Sequence, residues 1–260
     1  MEISMKLLVI LNILILSSSF ARHEHSTDYL DHIYSNINIP NLKFEDETYN
    51  LMAIYSSATF QKTPDIEKKI KLAVQSLNEA FKNSGIKRKM KLVFLKKIEY
   101  TETNSLNTEL LRLHDDNDGY NDEIHQERAL YNAHFVHMFS SITIGSCGLS
   151  YLGEYPVNLD KLFGITASDC LNNFSFSHGI GHQLGNQHTS DQNPIFSYGG
   201  GYFYTGNDAS SFQTIMSSSS ECGHCTRRNF FSSPKKYFEG VPTGDKEYAD
   251  VARSINQISL

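Results

Sequence analysis

The chain has 260 residues, with 29 acidic and 23 basic side chains, a formal net charge of −6 and 20% charged residues. This balance offers no electrostatic footprint for nucleic acid, and the runs Lys87-Arg88-Lys89 and Lys96-Lys97 read as solvated strand ends rather than a binding patch. The length, less an N-terminal segment expected to be removed, suits one core rather than several.

In chain order, Lys6 precedes an apolar run over residues 7–16 that is too short to span a bilayer but suits the core of a signal peptide. Small residues at Ser19 and Ala21 place cleavage before Arg22, giving a signal peptide at 1–21. Residues 22–48 are too few for a folded prodomain and read as a short polar leader that includes His23, His25 and His32. Residues 49–260 form the expected domain. No later segment is apolar enough to cross a membrane, so the processed protein is expected to be secreted, extracellular and free of membrane.

Within that domain, residues 49–57 read as a buried strand. Thr63-Pro64-Asp65 opens a helix in which Ile66, Ile70, Val74, Leu77 and Phe81 recur at helical spacing, and Asn83-Ser84-Gly85 ends it. Residues 91–100 alternate as a strand. Helices follow near 105–113 and 118–131, then strands at 134–139, at the edge segment Gly148-Leu149-Ser150-Tyr151, and at 162–168. Asp245 is expected to cap a final helix with Ala249, Ala252 and Ile255 facing inward. There is no internal repeat.

Residues 178–188 read H-G-I-G-H-Q-L-G-N-Q-H. On a helix, positions four apart share one face with Cβ atoms about 5–6 Å apart, so His178 and His182 can converge on one ion. A third ligand needs a sharp turn. Gly185 suits the left-handed conformation that ends a helix and returns the chain with His188 on it. Three neutral imidazoles with an open fourth position are the ligand set of a catalytic zinc, so one Zn²⁺ is expected. Three histidines in register with the glycine are much rarer by chance than a single H-x-x-x-H pair. The related catalytic pattern H-E-x-x-H-x-x-G-x-x-H has glutamate where this chain has Gly179.

Cys147, Cys170, Cys222 and Cys225 all fall in the half that holds the histidines, and an oxidising compartment favours disulfides among them; three pairings are open. Cys222-Gly223-His224-Cys225 has no second C-x-x-C to complete a tetrahedral metal site, so bridges are the stronger reading. Asn173-Phe174-Ser175 is the one glycosylation sequon noted.

From Tyr49 to the C-terminus, about four-fifths of the chain, the sequence resembles the reprolysin-like (adamalysin-type) metzincins, a family of secreted zinc metallopeptidases. Besides the histidine pattern, the resemblance rests on Thr214-Ile215-Met216-Ser217 as the methionine turn and on Ser168-Asp169-Cys170 leading through Phe174-Ser175-Phe176-Ser177 into the active-site helix. Three more segments carry it: Asp118 to His125 before the third strand, Phe231-Ser232-Ser233-Pro234 with Gly240-Val241-Pro242-Thr243-Gly244, and Ala249 to Arg253. It implies an α/β metzincin-type zincin fold with a mixed twisted sheet, an active-site helix and a smaller irregular C-terminal subdomain. It also implies a substrate groove along Gly148, Leu149, Ser150 and Tyr151, with extracellular proteins or peptides as substrates or ligands.

Gly179 divides the functional readings. The family's glutamate takes a proton from the attacking water and returns it to the leaving amine, a contribution of about 10²–10⁴-fold. Glycine cannot, and Gln183, Asp191 and Glu221 are not placed by the sequence to replace it. The expectation is a zinc-binding, catalytically impaired domain. The alternatives are an active secreted endopeptidase, or a metal-free extracellular binding module.

Overall fold

A computed structural model describes residues 48–260 except 144, 189–193, 207–209 and 219. The expected signal peptide, and all of the expected leader but Thr48, lie outside the described residues.

The first strand, β1 (Thr48–Ser56), buries every side chain from Leu51 to Tyr55, as a central strand covered on both faces must. Alternation sends Leu51, Ala53 and Tyr55 into one core layer, and Met52 and Ile54 into the other. Between β1 and the long helix lies a short helix the sequence did not announce, α1 (Ser57–Lys62), capped by Ser56, whose hydroxyl accepts from the Thr59 N–H. Six residues are too few to display a helical period. Helix α2 (Ile66–Ser84) buries Ile66, Ile70, Val74, Leu77 and Phe81 as their spacing requires, and Gly85 ends it at φ +76°.

Strand β2 (Lys89–Ile98) runs parallel to β1, and α3 (Leu106–His114) is capped by Ser105. Helix α4 (Glu123–Leu130) starts five residues later than expected. The Asp115 and Asp118 carboxylates accept from the N–H groups of Asn117 and Tyr120, and Asn121 takes φ +60°, so the acidic stretch forms turns before the helix begins.

Strands β3 (Phe135–Ser140), β4 (Gly148–Ser150) and β5 (Phe163–Ala167) complete a five-stranded sheet in the order β2-β1-β3-β5-β4. All pairs are parallel except β4 with β5, so the sheet is mixed and β4 is its antiparallel edge. Helix α5 (Ser175–Gln183) packs Phe176 and Ile180 into the same core layer as α2.

Beyond α5 regular structure is sparse, as the irregular subdomain expected from the resemblance requires. β6 (Phe203–Tyr204), β7 (Phe212–Gln213) and β8 (Thr226–Arg227) form one small sheet, and β9 (Tyr237–Phe238) and β10 (Val241–Pro242) another. Strands of two residues carry no alternation to read. The last helix, α6 (Val251–Gln257), corrects one expectation: its cap is Asp250, whose carboxylate accepts from the Arg253 N–H, and not Asp245. Asp245 and Ala249 exchange backbone hydrogen bonds at 2.9 Å, which holds that stretch in a turn and delays the helix. Ala252 and Ile255 face inward as expected, whereas Ala249 is buried ahead of the helix.

Candidate metal centre

His178 and His182 lie one turn apart on α5. Gly185, at φ +72°, sends the chain back so that His188 meets them. The three Nε2 atoms lie 3.0 Å (His178–His188), 3.0 Å (His178–His182) and 3.2 Å (His182–His188) apart. The Nδ1 of His178 is 2.7 Å from the Ile215 carbonyl oxygen, and that of His182 is 2.9 Å from the Asn186 carbonyl oxygen. A carbonyl only accepts, so both Nδ1 atoms carry the proton, and in neutral rings the lone pairs are left on Nε2.

Burial, and then the neighbouring His182, holds His178 well below the usual histidine range. Burial and then His188 pushes His182 down to about 4, and burial and then Arg227 lowers His188. The His178 and His182 lone pairs face each other at 3.0 Å, which is repulsive unless a cation, or a proton on His188 Nε2, lies between them. The donor set fits a cation: the three histidines could hold a metal ion.

Thr214-Ile215-Met216-Ser217 passes beneath this triad. It contributes the Ile215 carbonyl, and Met216 is fully buried against α5 at Gly181. A β-carbon on Gly179 would stand 2.8 Å from Ser150 Oγ and 3.5 Å from His137 Cε1. His137, on β3, bonds Thr166 Oγ1 through Nε2 at 2.8 Å, and burial pushes it down to about 3. Its Nδ1, the Ser150 hydroxyl and both amide atoms of Gln183 are buried without hydrogen-bond partners. Among the described residues, position 179 is thus bordered by Ser150 and His137, polar groups that carry no charge at neutral pH. Glu221 accepts from the Ser218 N–H, and Asp191 lies outside the described residues.

Gly148, Leu149 and Ser150 border the same cleft as the triad, whereas Tyr151 does not: it packs on His114, with Lys161 over its ring. The cysteines pair as Cys147–Cys170 and Cys222–Cys225. The first bridge ties the entry of β4 to the turn before α5. The second bonds the two sulfurs of the Cys222-His224-Cys225 group to each other, which leaves no thiolates for a metal. Asn173 of the sequon is exposed, and its side-chain oxygen accepts from the Ser175 N–H.

Among the cleft residues that the sequence reading did not single out are Gln213 and Arg227. They sit side by side in register on the two-residue strands β7 and β8, for which no sequence signal exists.

Residues 67–189 match the family model described as metallopeptidase family M12B, reprolysin-like. The chain is 34% identical over 191 residues to a peptidyl-Asp metalloendopeptidase of Xanthomonas campestris pv. campestris, a match covering 72% of this chain and 44% of the relative. A peptidyl-Asp metalloendopeptidase of Stenotrophomonas maltophilia is 31% identical, with 72% and 45% covered. The chain therefore spans less than half the length of these relatives. Among solved structures, a chain in a chaperone-substrate complex shares the fold at a TM-score of 0.63 and 19% identity, covering 81% of this chain and 34% of that one. By family model and relatives, this chain belongs to the reprolysin-like metallopeptidases.

Proposed function

We propose that this chain is a secreted zinc-binding domain of the reprolysin-like family that still engages extracellular peptides but hydrolyses them poorly. The observation that carries the reading is the pairing of a convergent three-histidine donor set with a position 179 that has no side chain and, among the described residues, no carboxylate beside it. His178, His182 and His188 are the residues that would hold the metal. Tetrahedral zinc with Zn–N distances of about 2.0–2.1 Å sets its ligand nitrogens roughly 3.3 Å apart, close to the spacing found. Zinc, when bound, supplies Lewis acidity toward a peptide carbonyl.

The rest of the work falls to the chain itself. The Ile215 and Asn186 carbonyls keep the His178 and His182 rings oriented and in the required tautomer. The free edge of β4 offers backbone N–H and C=O groups to an extended peptide by strand addition. Among the described residues, what is missing at position 179 is a group to carry a proton from water to the leaving amine, since Gly179 cannot and Ser150 is no base at neutral pH. The relatives named peptidyl-Asp metalloendopeptidases suggest aspartate-containing peptides as the ligands. Zinc analysis of the purified protein, run beside cleavage of an unfolded protein substrate, tests this: one zinc per chain with cleavage at least 100-fold below an active family member is expected. Absence of zinc, or ordinary turnover, would contradict it.

A further inference from the structure

We propose that Arg227 is the specificity residue of the cleft, reading the carboxylate of an aspartate side chain that lies beside the metal triad; this rests on the peptide-binding reading above. Arg227 lies on β8 opposite Gln213 of β7. In-register neighbours on adjacent strands point to the same face of a sheet, and both residues border the cleft bordered by His178, His182 and His188.

The guanidinium is held from behind. Its Nη2 donates to the Ser217 carbonyl at 2.8 Å and its Nη1 to the Asn173 carbonyl at 3.5 Å, while its Nε is buried and finds no partner. Those carbonyls are neutral acceptors. Glu221, which also accepts from the Ser218 N–H at 2.8 Å, attracts Arg227 through space and offsets part of its charge. A half-buried cation anchored to the methionine turn, with a donor to spare, is a site for a carboxylate, which guanidinium binds through paired charge-assisted hydrogen bonds.

Its surroundings favour a rigid reader. The Cys222–Cys225 bridge closes the loop two residues before Arg227, and pairing with β7 fixes its backbone. Beside it the Gln213 Oε1 is also buried without a partner, so the polar wall extends past one residue. Arg227 borders the same cleft as His178 and His188, so a side chain it holds lies beside the triad. The same positive charge would repel lysine and arginine there.

The test uses the full chain loaded with zinc and fluorescent peptides identical but for one central residue, Asp, Asn or Lys, with affinity read by anisotropy. Unaltered protein should bind the Asp peptide about tenfold or more tightly than the Asn peptide, the scale of a charge-assisted hydrogen bond. Arg227→Gln should bring the two within about twofold by weakening the Asp peptide alone, and Arg227→Lys should keep part of the preference as a point charge. If Arg227→Gln disturbs the methionine turn and loses zinc, Gln213→Glu, which neutralises the guanidinium in place, should give the same levelling. An Asp preference that survives these substitutions overturns the assignment to Arg227. Equal binding of Asp and Asn peptides by the unaltered chain overturns it too, while leaving the groove intact. Failure of every peptide to bind zinc-loaded protein overturns the groove reading and this proposal with it.

Discussion

The thioether of Met216 fills the space that a β-carbon on Gly181 would need. Glycine at this point of α5 costs about 1 kcal/mol of helix propensity relative to alanine, and close packing on the methionine turn offsets it. We expect Gly181→Val to force Met216 aside and destabilise the protein by about 1–3 kcal/mol, as overpacking of a buried contact does. Urea unfolding measures this, and a loss below about 0.5 kcal/mol would mean that Met216 is not held against the helix.

Removing one donor tests the triad. His188→Ala should lower zinc affinity by more than about 100-fold, beyond the 10–100-fold usually seen when a partner of a ligand is lost. Competition with a chromophoric chelator reads the constant. Unchanged affinity would mean that His188 is not a ligand.

Much of this centre was legible in the sequence because its parts are local. Histidines four apart, a glycine suited to the left-handed turn and the third histidine lie within eleven residues, and the buried spacing of α2 was equally plain. The pieces that were not legible are those made by distant chain segments. His137 and Ser150 reach position 179 from β3 and β4, and Arg227 and Gln213 meet across a two-residue pairing. Asp245 misled because a good capping residue does not start a helix when its backbone is already engaged, here with Ala249.

Two buried histidines set a dependence on acid. His137 is pushed down to about 3 by burial, and His134 to about 4 by burial and then by Arg128; His134 Nδ1 also accepts from the Asn50 N–H. The unfolded chain takes up these protons near pH 6.5 and the folded chain does not, so the stability is present above that pH and is lost as pH falls toward 4 and then 3. Each contributes a slope of at most about 1.4 kcal/mol per pH unit. His137→Val should flatten the fall in stability between pH 6.5 and 4.5 relative to the unaltered chain at the same metal loading. An identical slope would show that His137 is not buried neutral.

The Cys147–Cys170 bridge joins the entry of β4 to the turn before α5, across 23 residues. Replacing both by serine should cost about 3–4 kcal/mol from the freed unfolded chain and weaken peptide binding by loosening the edge strand. Thermal unfolding and peptide anisotropy check the two parts. Loss of stability with peptide affinity unchanged would remove the bridge from the groove.

The most direct measurement compares the unaltered protein with Gly179→Glu, both loaded with zinc, on an unfolded protein substrate. A side chain at 179 would first meet the Ser150 hydroxyl, which is buried without a partner and can rotate away or donate to a new carboxylate. The substitution should raise turnover by about 100-fold or more, the low end of what a general base contributes. Comparable cleavage by the unaltered chain, or a folded, zinc-loaded Gly179→Glu protein that remains inert, would contradict the account.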